Sequence, residues 1–119
     1  MNRIAFRLFW FGLLAAVTVG SLLPAAAQPD ISLWDKAQHF AAYLLLAALF
    51  PFRAGRRPLV AAFAFTACYG VLMELLQGAL PTLGRTADPR DAFANALGAA
   101  CGVGVILLLG LARNGHERA

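Results

Sequence analysis

Few residues in this chain can do chemistry, and those that can recur at helical spacing. Glu74 is the only acid inside an apolar run. An ionisable side chain at the centre of a membrane helix costs about 2.5 to 3.5 kcal/mol on insertion scales, so Glu74 should face the inside of a bundle and have a partner. Asp35, His39 and Tyr43 follow i, i+4, i+8, and Gly70, Glu74 and Gln77 follow i, i+4, i+7. Asp91, Asn95, Gly98 and Gly102 follow i, i+4, i+7, i+11, so each set lines one helix face. A carboxylate beside an imidazole can exchange a proton. Lys36 and Arg85 can hold anionic oxygens, while His39, Glu74 and Asn95 can orient a polar group.

Other chemistries have less support. One imidazole with two carboxylates, His39 with Glu74 and Asp91, is the donor set a metal would need, but no ligand spacing is visible; no metal and no cofactor are expected. There is no G-x-S-x-G, H-E-x-x-H or Gly-rich phosphate loop, and the only serines are Ser21 and Ser32, so no catalytic residue is assigned. Ordinary structural uses compete at most positions. His39 and Tyr43 fit an interfacial polar pair and an aromatic belt, and Lys36 can snorkel to headgroups. Asp88 and Asp91 suit a helix start, with Arg85 and Arg90 as loop partners. Gly98 and Gly102 make a small-xxx-small step for close helix packing. Capping and snorkelling do not account for Glu74.

The elements that must position these residues are membrane helices. With 119 residues, 61% apolar and only 13% charged, the chain is too greasy for a soluble domain, where charge reaches about a quarter. The expected fold is all-α, an integral membrane bundle of four transmembrane helices forming a single domain over residues 1–119. Helix 1 should run from Ile4 to Leu23 and stop at Pro24. A signal peptide cleaved after Ala27 is the alternative, and the retained helix is expected. Ser32 and Asp35 form a capping-box pattern, so helix 2 should cover Leu33 to Phe52, before the turn at residues 53–57. Pro58 suits a first helical position, and helix 3 should run from Leu59 to Leu80, where Pro81 ends it. Asp88 reads as an N-cap with Pro89 first and Asp91 third. Helix 4 should then extend from Pro89 to about Ala112, closed by Asn114-Gly115. Cys68 and Cys101 lie within apolar runs and read as small packing residues.

The basic residues set the orientation. Arg3, Arg7, Arg53, Arg56, Arg57, Arg113 and Arg118 fall on one side and Lys36, Arg85 and Arg90 on the other, so both termini are expected in the cytoplasm. That bias also explains the net charge of +4 without a nucleic-acid partner. His39, Glu74 and Asn95 then lie at a common depth, about 9 Å below the outer surface at 1.5 Å per residue. Lys36, Gln77, Asp91 and Arg85 should form a level above them. Helix 1 should pack behind as an apolar support.

Asp35-Lys36-x-x-His39-x-x-x-Tyr43, then Glu74-x-x-Gln77, then Arg85-x-x-Asp88-x-x-Asp91-x-x-x-Asn95-x-x-Gly98-x-x-x-Gly102 resembles the pattern of the VanZ-like membrane proteins. The resemblance is strongest over residues 32–102. It implies a bacterial plasma (inner) membrane location and, by the family's namesake, a link to teicoplanin-type glycopeptide resistance. Three functions remain open. A polar pocket facing the outer leaflet could bind membrane lipids, a lipid headgroup, or a lipid-linked or glycopeptide-type envelope ligand. An enzyme could act on a lipid-linked substrate through proton exchange between His39 and Glu74. A structural or assembly partner could use the polar stripes as interhelical glue.

Overall fold

The computed structural model describes residues 1–24, 26, 32–52 and 57–117. Four α-helices account for most of them: α1 (Arg3–Leu22), α2 (Ser32–Ala48), α3 (Pro58–Ala79) and α4 (Pro89–Glu117). Three are long and apolar enough to cross a membrane, over Arg3–Leu22, Pro58–Ala79 and Pro89–Leu111. α2 has 17 residues, a length of about 25 Å at 1.5 Å per residue, and its first turns are polar.

Local chemistry explains the boundaries. The Asn2 side chain accepts the Ala5 N–H at 2.7 Å and caps α1. α1 ends at Leu22, and Leu23 is extended because the ring of Pro24 disfavours helix in the residue before it. The same rule shortens α2, which stops at Ala48 rather than continuing to Phe52. Phe50 precedes Pro51, and the end is tightened by the Phe50 N–H bonding to the Ala47 carbonyl at 3.3 Å. α3 opens on Pro58 at its first turn, as the sequence predicts. A 3₁₀ turn at Pro81–Leu83 follows, with Gly84 left-handed at φ 61°. α4 does not stop at Asn114-Gly115 but continues to Glu117. Neither residue is forbidden in a helix, and the glycine signal was not strong enough to end this one. The capping box at Ser32, the cleavage position at Ala27 and residues 53–56 of the α2–α3 turn lie outside the described residues or side chains.

α2 packs chiefly against α4, and both also contact α3, while α1 lies against α3 and α2. The α2–α4 contact depends on two glycines. A Cβ on Gly98 would sit 2.3 Å from the Phe40 carbonyl oxygen, and one on Gly102 would sit 2.4 Å from that of Leu44. The helix backbones therefore touch, as the small-xxx-small step anticipates, and α2 is the neighbour.

The half of the bundle that holds the start of α1 and the end of α2 is aromatic. Trp10 is buried with Leu46, Phe50 and Ala62, and its indole N–H donates to the Leu46 carbonyl at 3.0 Å. Phe11, Phe50, Phe52 and Phe65 surround it at centroid distances of 5.3, 5.6, 6.3 and 5.6 Å. Arg7 lies over the Phe52 ring at 5.1 Å. Outside this core the surface carries Leu8, Phe9, Val60, Leu75, Phe93 and Leu108, all exposed, a surface suited to lipid tails. Cys68 and Cys101 share that outer face. They are not the interior packing residues expected, because neither lies on the face its helix turns toward a neighbour.

Candidate functional site

At the other end of the bundle, the first turns of α2 and α4 meet the last turns of α1 and α3. Asp88 caps α4: its Oδ1 accepts the Arg90 N–H at 2.9 Å, and its carbonyl receives the Ala92 N–H at 3.3 Å. That backbone donor, with Lys36 acting in the same sense, holds the Asp88 carboxyl below its ordinary range. The other oxygen of Asp88 faces Lys36 Nζ at 3.4 Å, and Lys36 bonds more closely to Asp91 Oδ1 at 2.6 Å. One ammonium thus joins α2 to the first turn of α4.

Below this pair, His39 Nδ1 lies 2.9 Å from Asn95 Oδ1. Its other nitrogen, Nε2, faces Asp35 Oδ1 at 3.8 Å and Asp91 Oδ2 at 3.9 Å. Arg85 approaches Asp35 Oδ1 at 3.7 Å from the α3–α4 connection. The N-terminal halves of α2 and α4 and this connection therefore form one network, with Asp35, Lys36, His39, Arg85, Asp88, Asp91 and Asn95 as members.

Glu74, Gln77 and Tyr43 join differently from what spacing suggests. Glu74 is 5% exposed, and its Oε2 accepts the Asp88 backbone N–H at 3.2 Å. Its bond goes up to the α4 cap instead of across to His39 or Asn95, although it stays within electrostatic range of His39, Asp91 and Arg85. Gln77 and Arg85 both donate to the Ser21 carbonyl, at 2.7 and 2.9 Å. This carbonyl lies in the last turn of α1, where the helix dipole favours a cation. α1 is thus a wall of the site as well as apolar support, and Thr18 also bonds Tyr69 of α3. No side-chain pattern could mark Ser21, because its backbone does the work. Tyr43 is buried, its ring tilted against Tyr69 at 6.2 Å, and its hydroxyl has no hydrogen-bond partner among the described residues. Gly70 makes room for it: a Cβ there would meet Tyr43 Cε1 and Asn95 Cβ, each at 2.9 Å.

Asp35, His39 and Asp91 each offer one ligand atom, all within 4.8 Å of one another. Asp35 therefore occupies the place that spacing suggested for Glu74 in an imidazole-dicarboxylate trio.

An all-helical bundle with three membrane-length helices and a charged cluster at one end is a membrane protein in its class. A family model described as VanZ/LLP1 matches residues 2–110, and the chain belongs to the VanZ/LLP1 family. No curated protein and no solved structure gives a significant match.

Proposed function

We propose that this is a multi-pass protein of the bacterial inner membrane, with four spans and both termini cytoplasmic, whose outer-half polar cluster binds the head of a membrane-embedded ligand. The observation carrying this reading is the gathering of charged and amide side chains from α2, α3, α4 and the α3–α4 connection at the end away from Arg3, Arg7 and Arg57. Buried and half-buried polar groups at membrane depth are expensive when they serve packing alone. α2 is short for a span, but its polar outer turns are covered by α4 and α3, so lipid need not solvate them.

Charge bookkeeping refines the ligand. Lys36 and Arg85 are both engaged by aspartates. The cluster therefore favours hydroxyl and amine donors over a bare anion, which fits a glycosylated or amine-bearing headgroup, whether on a membrane lipid or on a lipid-linked envelope precursor. Altered teicoplanin susceptibility is the phenotype expected if the ligand is such a precursor.

The test is native mass spectrometry of the full chain in gentle detergent, with Lys36→Met and Asp35→Asn as site variants. The wild type should retain a lipid that these variants release at unchanged abundance. Equal retention by all three would overturn the reading. For topology, Thr86→Cys in a background lacking Cys68 and Cys101 should react with an impermeant reagent on intact cells, whereas Gly55→Cys should react only after permeabilisation. Labelling at residue 55 on intact cells would refute the orientation.

A further inference from the structure

The arrangement around His39 is unusual for a simple ion pair. His39 Nδ1 bonds Asn95 Oδ1 at 2.9 Å, which fixes the ring and turns its other nitrogen away from Asn95. Nε2 faces two carboxylates, Asp35 Oδ1 at 3.8 Å and Asp91 Oδ2 at 3.9 Å, beyond hydrogen-bond distance of either. A proton alone would draw one carboxylate in to about 2.7 to 2.9 Å. The near-equal spacing to both suits something larger, shared among the three.

We infer that Asp35, His39 and Asp91 form a binding site for a divalent transition-metal ion, Zn²⁺ or Mn²⁺. The inference rests on reading this cluster as a site, though not on the headgroup ligand proposed above.

Ligand chemistry supports it. One imidazole nitrogen and two carboxylate oxygens suit zinc or manganese better than the oxygen-only preference of calcium or magnesium. Ligands at about 2.1 Å from a tetrahedral ion stand about 3.4 Å apart. The three atoms lie within 4.8 Å of one another, so side-chain rotation of about an ångström brings them to that spacing. Two of the ligands are also held from outside, as bound ligands are. Asn95 fixes the imidazole and Lys36 takes the other oxygen of Asp91 at 2.6 Å, while Arg85 lies 3.7 Å from Asp35 Oδ1, the oxygen that faces His39.

A separate observation points the same way. Glu74, 5% exposed, carries an Oε1 with no hydrogen-bond partner among the described residues, and it lies within electrostatic range of His39 and Asp91. Three protein ligands would leave a coordination position open to an oxygen of the headgroup.

The test uses the full chain, purified in mild detergent, stripped with chelator and titrated with Zn²⁺ and Mn²⁺ by calorimetry, with Mg²⁺ and Ca²⁺ as controls. One saturable site per chain is expected for zinc or manganese. His39→Gln and Asp35→Asn should each weaken it at least about tenfold, and Asn95→Ala should do so by about 10- to 100-fold through loss of imidazole orientation. His116→Ala should leave it unchanged. Thermal melting of each variant confirms folding, and the half-exposed Asp35 provides a readout if changes at His39 unfold the chain. No binding, or binding indifferent to Asp35 and His39, overturns the inference. Metal binding without any retained lipid leaves the metal site standing and removes the headgroup reading. Lipid retention without metal does the reverse.

Discussion

His39 and Asn95 meet across the α2–α4 interface, Nδ1 to Oδ1 at 2.9 Å, with Asn95 only 1% exposed. Glycines at positions 98 and 102 let the two helix backbones come together just below, which brings an asparagine of short reach against the imidazole. The bond is therefore a product of close packing, and its strength should be measurable as a coupling.

In a double-mutant cycle of His39→Ala and Asn95→Ala, the two changes should be non-additive by about 0.5 to 2 kcal/mol, the range for side chains bonded in one network or between membrane helices. Reversible unfolding in mixed micelles gives the four free energies. Strict additivity would mean that the pair is not formed.

Alanine at the helix contact should be poorly tolerated. Gly98→Ala and Gly102→Ala place a methyl group against the carbonyls of Phe40 and Leu44, at 2.3 and 2.4 Å before any relaxation. Each should destabilise by about 1 to 3 kcal/mol as α2 is pushed away. Gly104→Ala meets nothing within 4 Å and should be neutral or stabilising by up to about 1 kcal/mol through helix propensity. Melting temperatures that rank Gly104→Ala with the other two would refute the packing.

At Glu74 the amide and the aliphatic variants should separate. Glu74→Gln keeps an acceptor for the Asp88 N–H, now bonded at 3.2 Å, and should retain near-wild-type abundance. Glu74→Leu leaves that donor unmatched and should lose about 1 to 3 kcal/mol. Immunoblots of membrane fractions with thermal melts check this. Equal stability of both variants would show that the bond is dispensable.

Acid should loosen the start of α4. The Arg90 N–H holds the Asp88 carboxyl below its ordinary range, with Lys36 helping. A carboxyl whose folded pKa is depressed stabilises the fold fully above its unfolded value, about 3.9, and the contribution is lost as pH falls through the folded value. Below about pH 4 the wild type should thus lose melting temperature more steeply than Asp88→Asn, which can still cap the helix but does not titrate there. Parallel acid profiles for the two would exclude this role.

The helix count, most helix ends and the facing of each polar residue were legible in the chain. Pro24, Pro58, Pro81 and Pro89 act locally by removing a donor and fixing φ, and the 3.6-residue period places Asp35 with His39, and Asp91 with Asn95, whatever lies opposite. Pro51 carried the same kind of signal, and the end of α2 at Ala48 was readable from it. Partners were another matter. That Lys36 bonds Asp91, that Glu74 supports the Asp88 N–H instead of His39, and that the Ser21 carbonyl receives both Gln77 and Arg85 were decided only by tertiary structure. These pairings depend on the rotation of each helix about its axis and its offset along it. Both are governed by long-range contact, above all the backbone approach at Gly98 and Gly102, and a shift of one or two ångströms there exchanges one hydrogen-bond partner for another.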